Sequence, residues 1–275
     1  MGSPTLAARG GGIHRGSSRG GIALERSHHI LRPSSSTTSQ AIESDLPASS
    51  AAKLLVQPAI IAFNAAHPND GEGILWDIWN SVVDDVSQTP TQDLSRVVEV
   101  LAAVADLTEP ASFEIWGDRT TWKQLPLLGP VIRERWDDEQ QSQAVKINTF
   151  AARLTAAGVL DLSLYAIWTL RSVLEDSEPG QVCNENKDEH CKAAAAWFIY
   201  AGDVLYTLCR EEKQYDGRAA RQGKNVIGES WNGYNEQRWR LWVERLEKIQ
   251  DDVACTETKA VLEEALNSIK QVGPV

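Results

Sequence analysis

Phenylalanine, methionine and cysteine are scarce in this chain of 275 residues: four Phe, one Met and four Cys. Four cysteines (Cys183, Cys191, Cys209, Cys255) are too few for a disulfide scaffold of this length. With an N-terminus that lacks an apolar signal region, they predict reduced thiols and an intracellular, cytoplasmic protein. Long apolar runs are missing as well. The longest, AAAAWFIYAG at 193–202, is about half of what spans a bilayer, so neither a transmembrane helix nor a membrane partner is expected. Sequences that carry familiar chemistry are absent: there is no HExxH, no GxSxG, no P-loop, and no GxGxxG behind a strand. No alternating strand pattern and no repeat of fixed period is present. These absences predict neither a catalytic residue nor a cofactor.

Basic charge is short too, and unevenly placed. The formal charge is −11, yet residues 1–40 hold five Arg (Arg9, Arg15, Arg19, Arg26, Arg32) against one acid, Glu25. The rest has 22 bases against 37 acids, a net −15. A body this acidic repels phosphate backbones, which argues against nucleic acid as a partner.

Residues 1–45 form a basic Gly/Ser/Arg-rich tail with little to bury, so they are expected to be disordered. Its composition suits a mitochondrial presequence or a short basic arm. Glycines at 10–12 and 20–21 break an amphipathic helix and favour an untargeted tail. The folded domain is expected over 46–275.

Tryptophan is what the chain has in quantity. Ten lie between Trp76 and Trp242. Trp76 and Trp79 sit three apart, as do Trp239 and Trp242, each pair on an otherwise aliphatic stripe. Such pairs could form an aromatic platform for a ligand. Their stripes favour core packing, with the indole N–H bonded to a carboxylate or carbonyl.

The periodicity predicts an all-α domain of about eight or nine helices. Residues 46–66 read as a helix interrupted near Pro58. Asp70 caps the next, with Leu75, Ile78, Trp79, Val82, Val83 and Val86 facing inward. A third follows Thr89-Pro90, carrying Leu94, Val97, Val98, Leu101 and Val104. After a turn at Gly117-Asp118, a short helix is expected around 127–137, and another at 142–157 that ends on Gly158. Helices at 160–175 and 192–210 are expected to be central. Polar loops flank the latter at 176–191 and 211–234; the second contains four glycines. Asn235 then caps a helix with Trp239, Trp242, Val243, Leu246 and Ile249 on one stripe, and the last helix starts at Thr256.

The polar clusters are less specific. Arg171 and Glu175, four apart on a helix expected to be buried, predict a paired bridge that could line a pocket. Arg153 could bind an anion, although pairing with a neighbouring acid is the better expectation. Cys183, His190 and Cys191 share one loop, but their spacing is not that of a zinc finger, and no metal is expected. Asp84-Asp85 and Asp137-Asp138-Glu139 read as solvated faces. His67, before Pro68, has no triad partner in view.

One series is more distinctive: LWDIWNSVVDDVSQTP, then Trp116 and Trp122 ahead of LPLLGPVIRERW, INTFAARLTAAG, AAAAWFIYAGDVLY and SWNGYNEQRWRLWVERL. Over about 70–250 it resembles a family of uncharacterised fungal proteins, a Trp-rich helical domain of unknown function. The resemblance implies an intracellular fungal protein with a mostly helical fold. It carries no activity, substrate or catalytic residue.

Three functions fit these features. The first is a non-enzymatic helical protein that binds a protein or small-molecule partner. The second is an enzyme whose site is assembled from dispersed groups such as Arg171, Glu175 and Asp203 in a Trp-lined pocket. The third is a pocket for an apolar metabolite lined by Trp168, Trp197 and Trp239.

Overall fold

Small side chains at 193–196 and 201–202 let two helices approach the longest one from different sides. In the computed structural model this helix, α7 (Asp188–Arg210), lies between α5 (Ala144–Ala156) and α9 (Thr256–Val272). Helices α1 (Ala48–Phe63), α2 (Asp70–Gln88) and α3 (Leu94–Ala105) pack together, and α2 and α3 reach α5. Helices α4 (Leu128–Asp137), α6 (Ser163–Leu170) and α8 (Glu236–Asp252) complete nine α-helices among the described residues. Those residues are 40–42, 44–65, 70–137, 143–177 and 188–273, and all fall in one compact unit. No helix among them is long and apolar enough to cross a membrane. The helix expected at 160–175 is buried as expected, but α5 does more to join the two halves of the bundle.

Four local expectations change. Pro58 does not interrupt α1, which runs unbroken through it. The bond that proline removes belongs to the carbonyl of Leu54, an exposed residue whose turn water can solvate. Asp70 opens α2 from within its first turn rather than before it. The turn at 116–117 joins two short antiparallel strands, β1 (Phe113–Ile115) and β2 (Asp118–Thr120). Three residues are too few to print an alternating pattern. Both turn residues have positive φ, 53° at Trp116 and 84° at Gly117, which suits the twist of a two-residue hairpin. The tip leaves Trp116 66% exposed, so this indole is no core piece. Finally, the folded body reaches into the segment read as tail. Ala41 and Ile42 are buried, and Arg96 donates to the carbonyls of Ile42, Ser44 and Leu46.

The other indoles follow the core reading. Trp79, Trp122, Trp197, Trp239 and Trp242 are fully buried, and Trp76, Trp136, Trp168 and Trp231 are half-buried. Trp79 donates to the Pro126 carbonyl at 2.7 Å and Trp122 to that of Glu109 at 3.1 Å. Trp197 donates to Asn148 Oδ1 at 2.8 Å, an oxygen that also accepts from Thr169 at 2.6 Å. Helix α5 ends as predicted: Gly158 has φ 65°, and Val159 N–H closes onto the Leu154 carbonyl.

Trp197→Phe removes the N–H that Asn148 accepts and some of the ring volume. Chemical denaturation should show a loss of about 2 kcal/mol; an unchanged midpoint would mean that the bond does not support the core.

Candidate functional site

After α6 the helix widens. Residues Arg171–Glu175 form a π turn, closed by Asp176 N–H on the Arg171 carbonyl at 2.8 Å. The turn sends Glu175 inward. The expected Arg171–Glu175 pair does not form. Glu175 is bonded instead to Arg238 of α8, and both side chains are 0% exposed. Arg238 Nε reaches Glu175 Oε1 at 2.7 Å and Nη2 reaches Oε2 at 3.1 Å. Trp242 Nε1 and the Gly223 N–H also donate to this carboxylate, each at 2.6 Å. With these donors in place Glu175 has no need of Arg171. The remaining N–H groups of Arg238 go to the carbonyls of Ala220 (2.7 Å), Gly233 (2.7 Å) and Arg221 (3.1 Å). All five donors of the guanidinium are therefore matched.

The loop 211–234 is fastened by this pair. Two glycines permit the close approach: a Cβ on Gly223 would lie 2.4 Å from Glu175 Cβ, and one on Gly233 would lie 2.1 Å from the Lys213 carbonyl oxygen. Trp168 Nε1 and Arg171 Nη1 both donate to the Ala219 carbonyl, at 2.9 and 3.1 Å, and Arg171 also reaches the Arg221 carbonyl at 3.3 Å. Carbonyls 219–221 thus turn inward, while the side chains of Arg218, Arg221 and Lys224 are exposed.

The outer face of this loop forms a groove of about 790 Å³. It is lined by Arg171, Asp176, Arg218, Arg221, Gln222, Gly223, Lys224, Val226 and Ser230. Among the described residues four cations face one carboxylate, in a chain of net charge −11. Asp176 Oδ1 accepts the Lys224 backbone N–H at 2.7 Å. Among the described residues no acid forms an ion pair with Arg171, Arg218, Arg221 or Lys224. Burial pulls Arg171 below the usual arginine value; Asp176 opposes this, and nearby Arg221 and Arg238 add to it. It stays a cation.

A second polar cluster lies at the start of α6. Ser163 Oγ is 2.5 Å from Asp161 Oδ1, 2.7 Å from the Tyr215 hydroxyl and 3.2 Å from Lys213 Nζ. Lys213 also bonds Asp161 Oδ2 at 2.6 Å. A Ser–Lys pair can act as nucleophile and base only if the amine is neutral. Here burial lowers the Lys213 value, but the bond to Asp161 and neighbouring charge outweigh it and raise it overall. Burial likewise raises Asp161, yet bonds from Lys213 and Ser163 hold it below the usual aspartate value. The amine is an ammonium at neutral pH, and the cluster anchors the loop to α6. Burial pushes the Cys209 thiol up to about 12, so it is no nucleophile either.

The residues expected to share a pocket are only partly brought together. Trp168 and Arg171 meet at Ala219. Glu175 is close by but sealed under Gly223. Trp197 is buried against Asn148, and Trp239 packs on Phe198 and Tyr206. Asp203 is exposed on α7. Trp197 and Trp239, at 0% and 2% exposure, line no open cavity for an apolar metabolite. Arg153 stacks on Tyr200 and donates to Ser95 instead of pairing with an acid. Cys183, His67 and the acids at 138–139 lie outside the described residues, in which no His/Cys/Asp/Glu group could hold a metal. Sequence reading missed Arg238, although it falls on the Trp239/Trp242 stripe. It also missed RAARQGK at 218–224, which concentrates three bases without an acid.

An all-helical scaffold with its irregular loop fastened to a buried ion pair defines the class structurally. Residues 79–246 match the model of a family described as Protein of unknown function (DUF3632), and the chain belongs to that family. No curated protein and no solved structure matches the chain.

Glu175→Gln leaves a buried guanidinium without its counter-charge. A loss of about 3–5 kcal/mol is expected by urea denaturation, and a loss under about 1 kcal/mol would remove the pair from its central place. The Asp161–Lys213 link sets two pH limits. A lowered Asp161 stabilises above its unfolded value and loses that effect as pH falls through the folded value. A raised Lys213 stabilises below its unfolded value and loses that effect as pH rises through the folded value. Thermal unfolding of Lys213→Met across pH should therefore show a smaller alkaline decline than the parent; parallel curves would contradict the link.

Proposed function

We propose that this protein is a non-enzymatic helical binding protein and that its partner is a small anionic molecule held in the groove at Arg171, Arg218, Arg221 and Lys224. One observation carries this reading: among the described residues four cations line the groove with one carboxylate, on a strongly acidic chain. Evenly scattered charge would not collect there. The volume lies within the range of small-molecule sites. The loop backbone is already fastened by Arg238 and Arg171, so the ordering cost of binding falls on the exposed side chains of Arg218, Arg221 and Lys224.

The enzymatic alternative has less support. Its acids and arginine face separate surroundings, and the Ser163 cluster holds an ammonium where a base is needed. In this reading the protein works inside a fungal cell, in the cytoplasm. Cys191, Cys209 and Cys255 are free thiols, which is consistent with that. Neither nucleic acid nor a membrane is a partner: a single groove of four cations in an acidic chain is a small patch for either.

Thermal-shift screening tests the proposal. Polyanions such as pyrophosphate or citrate should stabilise the protein by mass action, by about 2.7 kcal/mol at a hundredfold excess over Kd. Neutral polyols and polyamines should not. The double variant R218E/R221E, altered at two exposed side chains, should keep its unfolding temperature and lose the response. A screen in which no anion shifts the parent overturns the reading.

A further inference from the structure

We infer that the groove takes a phosphorylated polyol, a small molecule bearing at least two phosphate groups beside free hydroxyls. This rests on the anion-binding reading above and narrows it. Charge comes first. Among the described residues three guanidiniums and one ammonium face a single carboxylate, so one carboxylate ligand would leave cations unmatched. Guanidinium forks match phosphate oxygens in pairs. Arg171 is already oriented by its bonds to the carbonyls of Ala219 and Arg221.

Asp176 supplies the second half of the argument. An acid in an anion site repels phosphate, yet it is held at the groove wall: Oδ1 accepts Lys224 N–H, and its own carbonyl accepts Asn225 Nδ2 at 2.9 Å. Its Oδ2 has no hydrogen bond among the described residues. A carboxylate oxygen only accepts, so a ligand group that replaces water on it has to donate. A hydroxyl does so, and a fully ionised phosphate does not. Ser230 adds a hydroxyl to the same wall.

The lining also excludes two other anions. No aromatic ring lines the groove among the described residues, so a nucleobase would have nothing to stack on. Trp168, an indole bonded to this loop, has Arg133 over its ring at 4.1 Å. Among the described residues Val226 is the one aliphatic side chain in the lining, too little for the apolar anchor that an acidic peptide needs.

Calorimetric titration of the full chain at constant ionic strength tests this with fructose bisphosphate, inorganic pyrophosphate, ATP and citrate. Fructose bisphosphate should bind at least about tenfold more tightly than each of the others, and R218E/R221E should weaken it by at least about tenfold. Asp176→Asn keeps the acceptor for Lys224 but drops the charge, so the margin of fructose bisphosphate over pyrophosphate should shrink. The exposed variant Lys224→Glu should weaken all four anions while the fold, followed by circular dichroism, is unchanged. Equal binding of pyrophosphate, citrate or ATP that is lost in R218E/R221E overturns the polyol assignment and leaves the anion reading standing. An unchanged margin in Asp176→Asn does the same. Absence of saturable binding to any anion, or binding that survives R218E/R221E, overturns both.

Discussion

The buried contact between Glu175 and Arg238 ties together three pieces of chain that have little else in common. Removing a carboxylate and a guanidinium from water costs several kcal/mol for each ion. Such a pair is tolerable only when every remaining donor and acceptor is matched, and here they are. The carboxylate receives Arg238, Trp242 and Gly223; the guanidinium serves Glu175 and three loop carbonyls. The π turn, the loop 211–234 and α8 must therefore be in place together. Half of this network would be worse than none, because it would leave a buried charge or carbonyl unmatched. The loop has little apolar support: of its residues, Ala220, Gly223, Gly233 and Tyr234 are the buried ones. It is held by polar bonds where the helices are held by apolar faces.

That constraint produces the groove. A segment whose carbonyls at 219–221 point toward Arg238, Arg171 and Trp168 has to turn its long side chains the other way. Arg218 and Arg221 cannot reach the acids of the helical body from there. Lys224, one residue past Gly223, is directed outward by the same close contact that needs a glycine. The charge concentration is thus a consequence of how the loop is fastened, and the sequence fills those outward positions with bases. The surrounding chain is acidic, so the patch is a local inversion of sign among the described residues, with Arg171 and Asp176 held in place by hydrogen bonds.

Helices with long, regular stripes were legible in the sequence because burial there follows the 3.6-residue period: α2, α3 and α8 all carry their expected inward residues. Asn235 was legible as a cap, since its side chain accepts the Arg238 N–H. The hairpin was not legible, because strands of three residues cannot display a period of two. Pro58 misled because the penalty for a lost helical bond depends on whether water reaches the freed carbonyl, which periodicity does not encode. At the site, burial of Glu175 could be anticipated from its helix. Its partner could not, because the choice between Arg171, four residues away, and Arg238, sixty-three residues away, is made by tertiary approach. A guanidinium on a tryptophan stripe was nevertheless a visible sign. An ionised residue there must have a buried counterpart.

The abundance of tryptophan and the scarcity of phenylalanine follow from the same architecture. A phenyl ring fills space; an indole fills more and brings one N–H. In this fold that N–H goes repeatedly to irregular chain or to a buried polar atom: Pro126, Glu109, Ala219, Asn148 and Glu175 accept from Trp79, Trp122, Trp168, Trp197 and Trp242. Three of these acceptors are carbonyls in segments between helices, where backbone groups have no helical partner. Phenylalanine in place of Trp79 or Trp122 would preserve apolar contact and leave the carbonyl of Pro126 or Glu109 without that donor. Tryptophan therefore stitches the irregular segments to the helices, and Trp168 does so at the rim of the groove itself. The rings belong to the scaffold and the cations to the surface it presents. A ligand recognised here meets charge and hydrogen bonds held in position by aromatic packing from behind.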